Sequence, residues 1–162
     1  MKLLLIAMSM LLMLGTNVSA ASKLTEENIT KTLEAVKVAR EHKNMRAMTK
    51  HFLSRTSVSL TDQNIEESKT VRMTFNGYKR YLSKKWKKVK SNLIEVKDRK
   101  IDIEPNGRSA LVKTTIVQTL EVDGIKTATT VYETIGIRLV KGRVYINYYS
   151  ARIMLDTAMR VN

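Results

Sequence analysis

Five polar residues of the C-terminal half carry the parity of core residues: Thr114, Gln118, Glu133, Ser150 and Arg152. Polar side chains on an inward face must find partners or line a cavity. Two readings of the group stand side by side. In one, Glu133 and Arg152 orient a polar guest in a pocket with Tyr148 on its wall. In the other, the same two residues form an ion pair that closes the interior or meets a partner chain. Proton abstraction beside a carbonyl is the obvious chemistry for a lone inward carboxylate, with Tyr148 as the donor to an oxyanion. An arginine next to a carboxylate favours its ionised form, whereas a general base needs the opposite bias. That counts against an isomerase, and no catalytic residue is assigned.

Other reactive constellations are thin. His42 and His51 are the only histidines, they share no helical face, and the chain has no cysteine to join them. No metal site or cofactor is therefore expected. The sequence has no nucleophile elbow, phosphate-cradling glycine loop or zinc-protease helix signature. A second candidate site is electrostatic: Lys79, Arg80, Lys84, Lys87, Lys88 and Lys90 surround Trp86. Such a basic, aromatic cluster suits lipid headgroups. The simpler account is a solvated outer face with Trp86 in the core, because Trp86 is in helical phase with Tyr78, Tyr81 and Leu82.

The elements that position these residues follow from periodicity. Alternating stretches at 93–104, 108–122, 125–140 and 143–155 are joined by Pro105-Asn106-Gly107, Asp123-Gly124 and Lys141-Gly142. That is an antiparallel meander, and two-residue turns fix its pairing. Val122 should face Ile125, and Thr114 should face Glu133. Carried across Lys141-Gly142, the same rule sets Glu133 against Ser150 and turns Ile146, Tyr148 and Met154 inward. The first strand changes parity between Val96 and Ile101, which calls for a bulge near Asp98-Arg99.

The N-terminal half reads as helices and a short strand pair. Thr25 can cap a helix whose Ile29, Leu33 and Val36 form one stripe, fading near residues 41–43. Asn44 can cap a shorter helix. Weak strands at 54–60 and 70–75 flank a polar stretch, 61–69, expected to be a loop. Asn76 is expected to cap the longest helix, which runs to about Val89, with Lys85 snorkelling from its apolar arc.

Residues 1–20 combine Lys2, a short apolar run and the ending Val18-Ser19-Ala20, the pattern of a signal peptide cleaved near Ala20. The apolar run is shorter than the roughly 20 residues that cross a bilayer. Residues 21–162 then form a single domain, exported to the periplasm or secreted. Without cysteine it must hold together by packing alone. The net charge of +14 includes only one cation of the leader. It implies attraction to anionic surfaces, and export argues against nucleic acid as the partner.

The order of elements resembles the nuclear-transport-factor-2-like superfamily, with its ketosteroid isomerase-like and SnoaL-like members. Phe75-Asn76-Gly77-Tyr78 resembles the family's entry into the third helix, and Gly142-Arg143-Val144-Tyr145-Ile146 its last-strand pattern. The resemblance implies an α+β cone, with N-terminal helices packed in the concave face of a curved antiparallel meander sheet (cystatin-like). A pocket often opens at its wide end. Isomerases of this fold use a carboxylate with a tyrosine or a protonated aspartate. Other proteins that resemble it are assembly domains, or dimers across the outer sheet face, occupied here by Thr115, Val117, Thr119, Thr130, Tyr132 and Thr134. The expectation is thus an exported, non-catalytic envelope protein with a protein partner or a second copy. A small-molecule binder or SnoaL-like enzyme, and an anionic-surface binder, are the alternatives.

Overall fold

A computed structural model describes residues 21–161, so the signal peptide expected over residues 1–20 lies outside the described residues. Helix α1, Glu26–Glu41, opens on a reciprocal cap: the Asn28 amide donates to Thr25 Oγ1 at 3.2 Å and the Thr25 amide to Asn28 Oδ1 at 3.0 Å. Its buried stripe is Ile29, Thr32, Leu33, Val36 and Ala39. Lys43, at φ 53°, turns the chain sharply, and Asn44 caps α2, Met45–Thr49.

The sheet has six strands: β1 Phe52–Gln63, β2 Ser68–Thr74, β3 Val89–Ile103, β4 Ser109–Val122, β5 Ile125–Val140 and β6 Arg143–Val161. Helix α3, Phe75–Lys88, joins β2 to β3. Spatial order is β2-β1-β6-β5-β4-β3, antiparallel except where β1 runs parallel to β6. Helices α1 and α3 pack on the inner face, over Val112, Ile116, Val131, Ile135 and Ile146. This is the α+β cone.

Three local expectations are corrected. The stretch 61–69 is mostly hairpin, since Thr61, Asp62 and Gln63 pair with Thr70, Lys69 and Ser68. Ladder pairing outweighs the polar composition there, and the Thr61 and Thr70 hydroxyls add a bond of 2.9 Å. Thr74, not Asn76, caps α3, because its Oγ1 accepts from the Gly77 amide at 3.2 Å. The bulge in β3 falls between Val96 and Asp98, just before its expected place.

The largest correction concerns β6. Val122 faces Ile125 and Thr114 faces Glu133, as the turns require. From Val140↔Arg143 to Ile137↔Ile146 the last hairpin also keeps its turn-set register. Then Asn147 is an extra residue, and Gly136 faces Tyr148. A bulge of one residue reverses every later side chain. Tyr149 and Ala151 are therefore buried inward, while Tyr148 and Arg152 are exposed and Ser150 is half-buried. Glu133 faces Ala151, not Ser150, and Met154 pairs with outer-face Thr130.

Candidate functional site

Glu133 sits at the centre of the cone with only 5% of its surface exposed. Its Oε1 accepts from Arg40 Nη1 at 2.7 Å and from the Tyr149 hydroxyl at 2.6 Å. Arg40 comes from the last turn of α1, one turn beyond Val36 on the same buried stripe. Tyr149 is there because the Asn147 bulge turned it inward. Tyr78 of α3 closes the group, its ring 5.6 Å from that of Tyr149.

The electrostatics of the group are self-consistent. Burial opposes the Arg40 charge, but Tyr149, Glu133 and Tyr78 outweigh it and hold the guanidinium above its ordinary value. Burial pushes the Tyr149 phenol well up, Arg40 opposing and Glu133 reinforcing the shift. Tyr78 moves up for the same leading reason. Glu133 is thus an ion-paired acceptor beside a protonated phenol, with both donors on the same Oε1.

Hydrogen bonds extend the group along the inner face. Gln118 Nε2 donates to Asn92 Oδ1 at 2.8 Å, and Asn92 Nδ2 donates to the Arg40 carbonyl at 3.0 Å. Gln118 is therefore inward, as expected, and supports α1 through Asn92. Across the sheet runs a row of partners, Arg99, Thr114, Glu133 and Ala151. Arg99 Nη2 donates to Glu34 Oε1 at 3.0 Å. Its Nε and the Thr114 Oγ1 are buried with no hydrogen-bond partner.

Little open space remains around this group. A cavity of about 30 Å³ lies beneath α1, lined in part by Lys37, Arg99, Thr114 and Glu133. Another of about 40 Å³ lies beneath α3, with Lys85, Trp86, Asn92 and Gln118 on its walls. Arg40, Tyr78 and Tyr149 border both. Of the expected pocket residues, Thr114 and Glu133 share the cavity beneath α1, and Gln118 lines the one beneath α3. The structure removes Tyr148, Ser150 and Arg152, which the bulge carries to the other face. Glu133 pairs with Arg40 instead of Arg152.

The missed residues left signals. An arginine at 40, in phase with Leu33 and Val36, is a charge on an apolar stripe. A glycine inside a strand, Gly136, marks a bulge or a close backbone approach.

The basic cluster divides. Arg80, Lys84, Lys87 and Lys88 are exposed along α3, which holds no acidic residue. Lys90 is tied to Glu121 at 3.0 Å. Lys79 lies over the Phe75 ring at 5.6 Å and Lys85 over Tyr81 at 5.9 Å. Trp86 packs against the core.

No family model and no curated protein matches the chain by sequence. Solved structures do. A candidate scytalone dehydratase from Novosphingobium aromaticivorans superposes with TM-score 0.68 at 11% identity, over 84% of this chain and 87% of its own. A hexachlorocyclohexane dehydrochlorinase from Novosphingobium barchaimii gives 0.64 at 5%, over 83% and 88%. A cystatin-like protein of unknown function from Nostoc punctiforme gives 0.59 at 9%, over 81% and 94%. At such identities the likeness is one of fold, and the fold is the nuclear-transport-factor-2-like, SnoaL-like cone.

Proposed function

We propose that the protein is an exported, non-catalytic envelope domain that engages a protein partner or a second copy of itself. One observation carries the reading. Glu133, the single buried carboxylate among the described residues, is committed to Arg40 and Tyr149, and the voids beside that group are no larger than about 40 Å³. A cone so filled is a rigid platform, not a reaction vessel. The outer sheet face offers Leu111, Tyr132 and Tyr148, each at least 38% exposed, for a partner. Native mass spectrometry of the exported chain tests this. A dimer or a captured protein is expected, weakened by Tyr132→Lys, and a strictly monomeric, partner-free chain overturns it. The intact mass of the same sample should also show cleavage near Ala20.

A second reading, an anionic-surface binder, is favoured by the α3 stripe. Arg80, Lys84, Lys87 and Lys88 recur at helical spacing, and none is in an ion pair among the described residues. Binding to anionic vesicles that falls steeply with salt, and is abolished by reversing charge at Lys84, Lys87 and Lys88, would support it.

A further inference from the structure

We propose that the groove between the start of α1 and the β5–β6 turn binds the phosphate dianion of a small phosphate monoester. The inference goes beyond the reading above. It concerns the surface at the other end of α1 from Arg40, and no residue of the groove lines the interior voids.

The groove has a volume of about 540 Å³, against about 30 and 40 Å³ for the voids inside the cone. Two backbone bonds fix its walls. The Ile146 amide donates to the His51 carbonyl at 2.8 Å, which ties the end of α2 to β6, and the Ala21 amide donates to the Gly142 carbonyl at 3.1 Å. Three elements each bring a cation: Lys31 from α1, Lys50 from the C-cap of α2 and Arg143 from the first residue of β6. All three are exposed, and none is in an ion pair among the described residues. Glu27, one turn before Lys31, is the carboxylate of the lining. Burial and the neighbouring Lys50 hold His51 below its ordinary value, so its ring adds no charge at neutral pH. Three cations against one carboxylate leave a net charge of about +2 on the groove. A chain cleaved after Ala20 adds an α-ammonium at Ala21, on the same lining.

That count selects the guest. Cations gathered on one groove repel each other until a counter-charge answers them. A carboxylate or a sulfate ester brings one negative charge and leaves an excess. A phosphate monoester carries about −1.5 to −2 at pH 7, on three oxygens that can be approached from three sides at once. Lysine serves such a group as a point charge and arginine as a two-pronged donor. At about 30 Å³ for each water-sized group, the five atoms of a phosphate fill only roughly a quarter of the groove. The half-buried Tyr145 ring, on the same lining, gives an organic body a wall to pack against.

The experiment is calorimetry on the chain from Ala21 onward, which holds every element of the fold, in a phosphate-free buffer near neutral pH. Phenyl phosphate is expected to bind one to one. Phenyl sulfate, alike in shape but one charge poorer, should bind at least about fivefold more weakly. Arg143→Gln and Lys50→Gln should each weaken phenyl phosphate by about fivefold or more. Lys113→Gln, which removes an exposed cation of β4 away from the groove, should leave it unchanged. In proton magnetic resonance the His51 ring should shift on binding, while that of His42, the C-cap of α1, should not. Vesicles containing phosphatidate separate the two sources of such a phosphate: co-sedimentation lost in Arg143→Gln assigns the site to a lipid headgroup, and any other result to a soluble ester. No saturable binding of phenyl phosphate, equal binding of phenyl sulfate or succinate, or full affinity in the folded Arg143 and Lys50 variants overturns the proposal. So does an equal loss in Lys113→Gln, or movement of both histidines together. None of these outcomes touches the filled interior or the oligomeric state, so the non-catalytic reading stands or falls separately.

Discussion

Gly136 faces Tyr148 so closely that a β-carbon at 136 would lie 2.9 Å from the Tyr148 Cβ and 2.8 Å from Asn147 Oδ1. The absent side chain is what lets β6 bulge at Asn147, and the bulge is what delivers Tyr149 to Glu133. Gly136→Ala should therefore cost about 1–3 kcal/mol by overpacking. It should also loosen the Tyr149 contact, with a fall in urea midpoint and a change in near-ultraviolet dichroism. An alanine variant as stable as the parent would mean that the strand accommodates the residue without strain.

Arg40 and Glu133 are joined across 93 residues of chain, and each is nearly removed from water. Removing one partner strands the other charge. Glu133→Leu alone should cost about 3–5 kcal/mol, and Arg40→Met alone a comparable amount. The double variant should recover most of the loss, because an apolar pair needs no ionic partner. Equilibrium unfolding of all four chains gives the coupling directly. Additive losses would show that the two side chains act independently.

Much of this architecture was legible because short turns translate directly into register. Asp123-Gly124 sets Val122 against Ile125 and Thr114 against Glu133, and both pairs are present. Thr25, Leu33 and Val36 announced α1 with similar clarity. The site was only half legible, since register propagates from a turn only until the first bulge. Nothing in the types of Tyr148, Ser150 or Arg152 distinguishes inward from outward. The glycine opposite them was the only local cue. Arg40 was hidden differently: its partner is in the sheet, and helix periodicity says nothing about what lies across an interior.

Tyr149 and Tyr78 both hold their protons more tightly in the folded chain than the ordinary phenol value of 10.0, chiefly through burial. The unfolded chain would lose those protons near pH 10. Their contribution to stability is therefore whole below pH 10 and fades as pH rises toward the folded-state values. A titration followed by tyrosinate absorbance should show a late phase that coincides with loss of far-ultraviolet dichroism. Tyr149→Phe should remove one equivalent from that phase. Complete tyrosine ionisation in a chain that is still folded would refute the assignment.

Thr56 holds the one parallel seam of the sheet. The β1–β6 ladder shifts between Phe52↔Ile146 and Ser57↔Tyr148, and the segment between is off register. There the Thr56 hydroxyl lies 2.7 Å from the Leu53 carbonyl and 2.8 Å from that of Ile146, with 1% exposure. One hydroxyl proton thus serves two carbonyls where the ladder is off register. Thr56→Val keeps the shape and removes the donor, so it should cost about 1–3 kcal/mol. Thr56→Ser keeps the donor and should cost no more than the lost methyl, about 1 kcal/mol. The order of the two urea midpoints decides the matter: serine above valine assigns the role to the hydroxyl, whereas the reverse order makes Thr56 a packing residue and leaves the seam to its neighbours.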